Sequence, residues 1–348
     1  MNLKAKIKAG AESLGFVAVG FTRVEPVPGL QRFKDWIENG QHAEMNYLAS
    51  QWSLETRSDP RLLLPTCQTV ISLLSSYPPP EDLQSAGMSK FKGRIAAYAL
   101  QQDYHKVLRE RLDQLAKLIN NLAGVDVETY PCVDSAPILE KGYAHKAGLG
   151  WIGRNSLLLH PKFGSWTFLS ELLISLELEP DLPYEEDGCG DCQLCIKACP
   201  TGAILPDRSI DASRCLSYLT IENRGEIPEE FRKVVGNRIF GCDQCQTVCP
   251  VNKRAQTEDR VSIIEGSPDL AQSFGLTEEE FELKYRHTPV WRAKYFGFRR
   301  NVAIAMGNSR QKEFIQLLEE GLRNENDPIV ADAIRWAVGD LGNRSQSR

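Results

Sequence analysis

The chain has 348 residues, 42% of them hydrophobic and 25% charged, with a formal net charge of −5. At ~150 residues per domain that length suggests two or three domains, with enough chain to bury a core without disulfide staples. The mild negative charge excludes nucleic-acid binding through bulk electrostatics, so any such binding has to come from a local basic patch.

The opening MNLKAKIKAGAESLG reads as a polar amphipathic helix rather than a secretory signal. No twin-arginine segment precedes the body, and a cytoplasmic location is expected. Residues 16–21 and 70–74 read as strands. The uncharged run 62–80 is interrupted by Pro65, ends in three prolines and carries several Ser and Thr. It reads as a buried strand with turns, not a membrane span. Residues 103–123 read as a helix with Val107, Leu108, Leu112, Leu115, Ile119 and Leu122 on one face and Gly124 as a stop. Residues 166–178 read as another strand. The acidic, proline-bearing stretch 180–187 marks a boundary. Near the end, Asp327-Pro328 pairs an N-cap acceptor with proline at the first helical position. Segments 299–306, 311–322 and 328–341 could stack as in HEAT repeats, or form a plain helical cap. The expected class is α+β: a mixed α/β domain at 1–179, a ferredoxin-like module at 180–255 and a helical tail at 256–348.

Eight of the ten cysteines lie between 189 and 249. Cys189, Cys192, Cys195 and Cys199-Pro200 form the C-x2-C-x2-C-x3-C-P run of bacterial ferredoxins. Cys242, Cys245 and Cys249-Pro250 repeat its last three cysteines, with Ile239 where the first should stand; Cys215, upstream, is the natural replacement. Three closely spaced thiolates wrap three irons of a cube, and the cysteine before proline reaches the other cluster. Cys189, Cys192, Cys195 and Cys249 are therefore assigned to one [4Fe-4S] cluster, and Cys199, Cys215, Cys242 and Cys245 to a second. Cys-x2-Cys pairs alone would also fit zinc, but the full run does not need zinc's four-ligand economy. Cys67 and Cys132 sit in apolar or turn contexts and read as buried, inert thiols.

A two-cluster module in a chain of this size feeds electrons to something, and the candidate is the glycine-dense stretch 132–170. Its Gly148-x-Gly150-x-x-Gly153 matches a dinucleotide fingerprint by letters, but lacks the required strand before and helix after. Its glycines would allow close backbone approach to a flat ligand.

Taken together, VDSAP with Glu140-Lys141, GLGWIGRNS, the first cysteine run, CLSYLT from Cys215, and GCDQCQTVCP resemble the epoxyqueuosine reductases. The resemblance spans nearly the whole chain. It implies reduction of epoxyqueuosine to queuosine at the tRNA wobble position, with cobalamin as the reactive centre and an external low-potential electron donor. It also implies Asp134 as proton donor, a role for which burial would have to keep its carboxyl protonated. On residues alone, Asp134 could instead be an N-cap. The cobalamin would lie against Arg57, Asp134, Ser135, Ala136, Lys141, Gly150, Trp151, Gly153, Arg154, Asn155, Ser156, Ser165, Ser217 and the backbone of Asp243 and Gln244. Arg57 could equally be a surface ion pair. Tyr143-Ala-His145-Lys-Ala-Gly148 departs from the histidine-on signature D-x-H-x-x-G, so His145 is expected to be structural and no protein histidine to ligate cobalt.

The segment 284–300, KYRHTPVWRAKYFGFRR, carries six Lys/Arg and no acid, with aromatics interleaved. Such a patch suits phosphates and unpaired bases. Lys284, Arg286, Arg292, Lys294, Arg299 and Arg300, with Arg224, are the expected tRNA contacts. The alternative is a helix with core aromatics and solvated charges. The competing functions are a cobalamin- or flavin-dependent reductase of a small molecule, such as a halogenated or epoxide substrate, and a non-catalytic electron carrier. Nothing indicates oligomerisation, so a monomer is the default.

Overall fold

The structure is a computed structural model that describes residues 2–79, 90–256 and 262–343; Pro80, where the uncharged run ends, lies outside them. A four-stranded antiparallel sheet organises the first half, in the order Ala18–Arg23, Thr69–Ser76, Thr167–Ile174, Thr129–Cys132. Thr69–Ser76 is buried along its whole length, as expected of an inner strand covered on both faces. Side chains alternate across a strand. Ile71 and Leu73 therefore join Ile7 and Ala11 of helix Leu3–Ser13 and Leu108, Leu112, Leu115 and Ile119 of helix Tyr104–Ala123. Val70 and Leu74 point to the other face, where Tyr143, Ala144 and Ala147 cover them. The three strands expected in this half are all present, with ends shifted by a few residues.

Two chain segments meet at one end of this sheet. Asp103 caps helix Tyr104–Ala123, accepting the His105 N–H at 3.1 Å, and Gly124 closes the helix at φ 67°. The edge strand Thr129–Cys132 ends beside that helix start and leads through residues 133–139 into helix Glu140–Lys146.

In the second half, one hydrophobic core takes Leu216, Leu219, Ile239 and Phe240 together with Phe274, Phe281, Phe298, Val302, Leu318 and Ile334. The residues on either side of 255 thus share a core, and no packing boundary falls there. The tail holds helices Lys294–Asn308, Phe314–Arg323 and Pro328–Asn343. Asp327 Oδ1 accepts the N–H groups of Ile329 and Val330 at 3.0 Å each, the cap expected from Asp-Pro. Gly307 permits the close approach of the first and third of these helices, since a Cβ there would lie 2.9 Å from Ala337 Cα. Among the described residues no helix is long and apolar enough to cross a membrane.

The same core corrects part of the expected RNA surface. Arg300 is 1% exposed and donates to the carbonyls of Leu219, Asn223 and Gly225, stapling the tail to the helix Leu216–Ile221. Arg299 pairs with Glu325 at 2.9 Å and lies over Phe274. Tyr285 and Phe298 pack on Phe281 inside the core. Periodicity could not separate these from surface residues, because arginine and tyrosine are amphipathic and serve both places. Arg300→Met should cost about 2–4 kcal/mol, since it leaves three carbonyls without a donor; urea unfolding followed by far-UV circular dichroism measures this. Unchanged stability with weakened RNA binding would contradict it.

Candidate active site

The loop after the edge strand presents Asp134 in the left-handed region, at φ 53°. Its side chain accepts from Tyr104 Oη at 2.5 Å and lies 3.1 Å from His105 Nε2, both bonds falling on Oδ2. Its backbone N–H donates to Glu140 Oε1 at 2.6 Å. The next helix starts only at Glu140, so Asp134 is not its N-cap. On the far side of the imidazole, His105 Nδ1 lies 2.7 Å from Asp103 Oδ1. Tyr104 is stacked at 4.5 Å on Phe168 of the sheet, which fixes the hydroxyl's aim.

The charges follow from these contacts. Burial raises the Asp134 carboxyl, but the bonds from His105 and Tyr104 outweigh it and hold the acid below its ordinary value. Burial lowers His105, but Asp103 and Asp134 outweigh that and push it up to about 9. Burial and the Asp134 charge push Glu140 up to about 8. At neutral pH the proton thus sits on His105 and on Glu140, and Asp134 is ionised. The expected burial-driven protonation of Asp134 is corrected: two specific donors outweigh desolvation.

Asp134 opens into a cleft of about 1170 Å³ where all parts of the chain meet. Its walls include Arg32, Tyr47, Arg57, Lys141 and Ser156 from the first half, Arg208 and Glu222 from the cluster region, and Trp291, Arg292 and Lys294 from the tail. Arg57 is buried, lies over Phe33 and bonds Ser53, so it is no surface ion pair. Lys141 Nζ donates to Ser156 O at 2.7 Å. Arg292 grips Glu222 through two bonds and lies over Tyr47.

Several expected ligand contacts lie elsewhere. A Cβ on Gly150 would sit 2.1 Å from Leu159 O, and one on Gly153 would sit 2.6 Å from Leu159 Cδ1. Both glycines therefore serve the hairpin of Trp151–Ile152 with Leu158–Leu159 rather than a flat ligand. Asn155 Oδ1 accepts from Leu157 N in the same hairpin, and Arg154 reaches Gly190 O. Ser165 is tied to Gln246 and Asn252. Asp243 is buried and accepts the Ala97 N–H, while Gln244 accepts from Arg238. Ala136 and Ser217 are outside the cleft lining, whereas Ser135 is in it. His145 bonds Gly150 O, a structural contact as expected. Arg224 is exposed and donates to Ile221, Arg292 and Ala293 carbonyls, while Lys284 and Arg286 are exposed away from the cleft. Cys67 and Cys132 are buried with thiols pushed up, Cys67 to about 11.

The cysteines of the two runs lie near enough to act on one another's thiols: burial and then Cys189 and Cys249 raise Cys195, burial and then Cys242 and Cys199 raise Cys215, and burial and then Cys242, Cys215 and Cys195 raise Cys245. Cys192 N donates to Cys189 O. Trp151 is not at the cleft: its Nε1–H points at Cys189 Sγ, 3.4 Å away.

Comparison with known proteins agrees. The family described as epoxyqueuosine reductase QueG, DUF1730 matches residues 57–135, and the 4Fe-4S double cluster binding domain matches residues 188–252. An epoxyqueuosine reductase of Shigella dysenteriae is 41% identical over 97% of this chain and 89% of its own length. The chain belongs to the epoxyqueuosine reductase family. The family's Escherichia coli member is 40% identical over the same shares. The Streptococcus thermophilus family structure superposes with a TM-score of 0.90 at 31% identity, covering 99% of this chain and 91% of that one. A family structure bound to an epoxyqueuosine-modified tRNA-Tyr stem loop gives 0.89 at 29% identity, covering 99% and 91%. The chain is thus an oxidoreductase with a double-cluster domain.

Tyr104, His105, Glu140, Arg32 and Arg208 were not expected at the site. Asp103-Tyr104-His105 reads in sequence only as a helix start, and nothing local tells that it faces a loop thirty residues on. Hydrogen bonds to a cluster sulfur raise its reduction potential by stabilising the more negative reduced state. Trp151→Phe should therefore lower the midpoint potential of one cluster and leave the other unchanged in an EPR-monitored redox titration.

Proposed function

We propose that this chain reduces epoxyqueuosine to queuosine in tRNA, with the cleft holding cobalamin and the modified nucleoside together. The observation that carries the reading is Asp134, wired to a protonated histidine and opening into a cleft lined by both the first half and the cluster region. A family member's structure carries an epoxyqueuosine-modified tRNA stem loop, and another, from Bacillus subtilis, has its catalytic aspartate loop swung out of the active site.

The cleft fits a large cofactor. Its volume of about 1170 Å³ exceeds the ~300–1,000 Å³ of ordinary ligand pockets. Arg57, a buried cation, bonds only Ser53 among the described residues and keeps donors for a ligand's amides or phosphate. Arg57, Lys141, Ser135 and Ser156 would hold the cofactor. His105, in the lining, has both ring nitrogens engaged by Asp103 and Asp134. Bound cobalamin would supply low-potential, one-electron cobalt chemistry at this cleft. Arg292 and Lys294, with Trp291 and Tyr47 beside them, would contact the RNA; Lys284, Arg286 and Arg224 remain candidates further out. We read residues 1–179 as the catalytic region, 180–255 as the cluster region and 256–348 as a HEAT-like tail, in a cytoplasmic monomer served by an external electron donor.

The chemistry sets what this chain's residues do. Converting the epoxide to an alkene breaks two C–O bonds, forms one C=C bond, takes up two electrons and two protons, and releases water. The first C–O cleavage leaves an oxyanion that needs a proton. His105 and Asp134 share one: the imidazolium passes it through Asp134 to the substrate oxygen, while Asp103 stabilises the cation. Tyr104 holds the carboxylate in line.

The direct test is an anaerobic turnover of tRNA carrying epoxyqueuosine with cobalamin and a low-potential reductant. Loss of one oxygen from the digested nucleoside by mass spectrometry, dependent on cobalamin, is expected. No loss with both clusters and cobalamin bound would reject the reading. Asp134→Asn should lower kcat by ~10²–10⁴-fold, the usual share of a general acid. Because His105 must carry a proton, kcat should fall as pH rises through about 9. His105→Gln should abolish that limb; a limb that persists would exclude His105 as the proton source.

A further inference from the structure

We propose that Glu140 is the positioning residue that holds the Asp134 loop against the cleft wall, by accepting the Asp134 backbone N–H. The inference rests on Asp134 acting in proton transfer.

Residues 133–139 join the edge strand to the helix Glu140–Lys146. The loop's own backbone bonds, Ser135 N to Val133 O and Ile138 N to Ala136 O, are local turns that shape it without anchoring it. Val133 and Ile138 bury the two ends of the loop in the core, and Asp134 itself is held by two kinds of polar tether: its carboxylate to Tyr104 and His105, and its N–H to Glu140. The first kind changes as protons move, because a neutral Asp134 beside a neutral His105 loses the charge attraction. The second does not pass through the reacting carboxyl, so it persists through turnover.

The conformation needs such an anchor. Asp134 at φ 53° is in a region that L-residues hold only when their surroundings impose it. Glu140 is mounted on a rigid element. Gly142, Tyr143 and Ala144 of its helix are buried. Gly142 fits so closely that a Cβ would sit 2.6 Å from Val27 Cγ2. Lys141 is pinned to Ser156. Burial and the Asp134 charge hold Glu140 up at about 8, so at neutral pH it is largely uncharged and glutamine reproduces both its acceptor and its charge.

The test compares Glu140→Ala, Glu140→Gln and Glu140→Asp in the full chain with both clusters assembled. Amide hydrogen exchange of the 133–139 peptide reads the loop, and kcat and KM for the modified tRNA read its consequence. The alanine variant should exchange faster in this peptide and lose about tenfold or more in kcat with little change in KM, as misplacement of a reacting group does. Glutamine should restore both. Aspartate, one methylene short, should behave like alanine, and it keeps the test decisive if alanine does not fold. Unchanged loop exchange in the alanine and aspartate variants overturns the proposal, as does a glutamine variant as impaired as alanine. Fast loop exchange in these variants alongside a fully active Asp134→Asn would uphold the latch and reject the proton role on which it rests.

Discussion

Everything at this site depends on how one carboxylate is held. Asp134 Oδ2 takes the bonds from Tyr104 and His105, and that concentration of donors outweighs desolvation in the cleft and keeps the acid ionised. The consequence is a division of labour. The carboxylate is placed to hand over a proton, while the imidazolium beside it, steadied by Asp103, stores that proton. A lone buried aspartic acid would need desolvation to carry the whole pKa shift. A paired one needs only geometry, which the helix cap at Asp103 and the stacking of Tyr104 on Phe168 supply.

The fold serves this geometry by bringing distant segments to one cleft. The sheet carries the loop, the helix start carries the proton store, and the cluster region and tail close the far wall. The cluster region and the tail share one core, stapled by Arg300, so the cleft-lining residues Arg292 and Lys294 are held rigidly relative to the cysteines. On the opposite side, the hairpin of Trp151–Ile152 separates the two chemistries: Trp151 turns to Cys189 while Ile152 lines the cleft.

Much of this was legible in sequence where the constraint was local. The cysteine spacing marked a two-cluster module, and the 4Fe-4S double cluster binding domain matches residues 188–252. Alternating and helical periodicities located three of the sheet's four strands and the helix Tyr104–Ala123, but not the edge strand Thr129–Cys132. Asp327-Pro328 marked a helix start. What sequence could not show was where amphipathic residues point. Arg300, Tyr285 and Phe298 look like an RNA patch and are core, and Arg299 is tied to Glu325 and Phe274. Gly150 and Gly153 look like a ligand cradle and are a hairpin. Arg57 reads as a possible surface ion pair and is a buried cation at the cleft. His105 and Glu140 were missed as partners because they meet Asp134 only through the fold. A proton-donor role for Asp134 required a raised carboxyl pKa, and the donors that lower it instead come from Tyr104 and His105, which the sequence does not show beside it.

The central claim is that the resting site stores its proton on His105 and leaves Asp134 ionised. Infrared difference spectroscopy of the wild type against Asp134→Asn, across neutral pH, tests it most directly. An aspartate carboxylate band at pH 7, with no protonated carboxyl C=O band assignable to Asp134, is the expected result. A protonated C=O band from Asp134 at pH 7 would contradict it, and would return the proton to the aspartate itself.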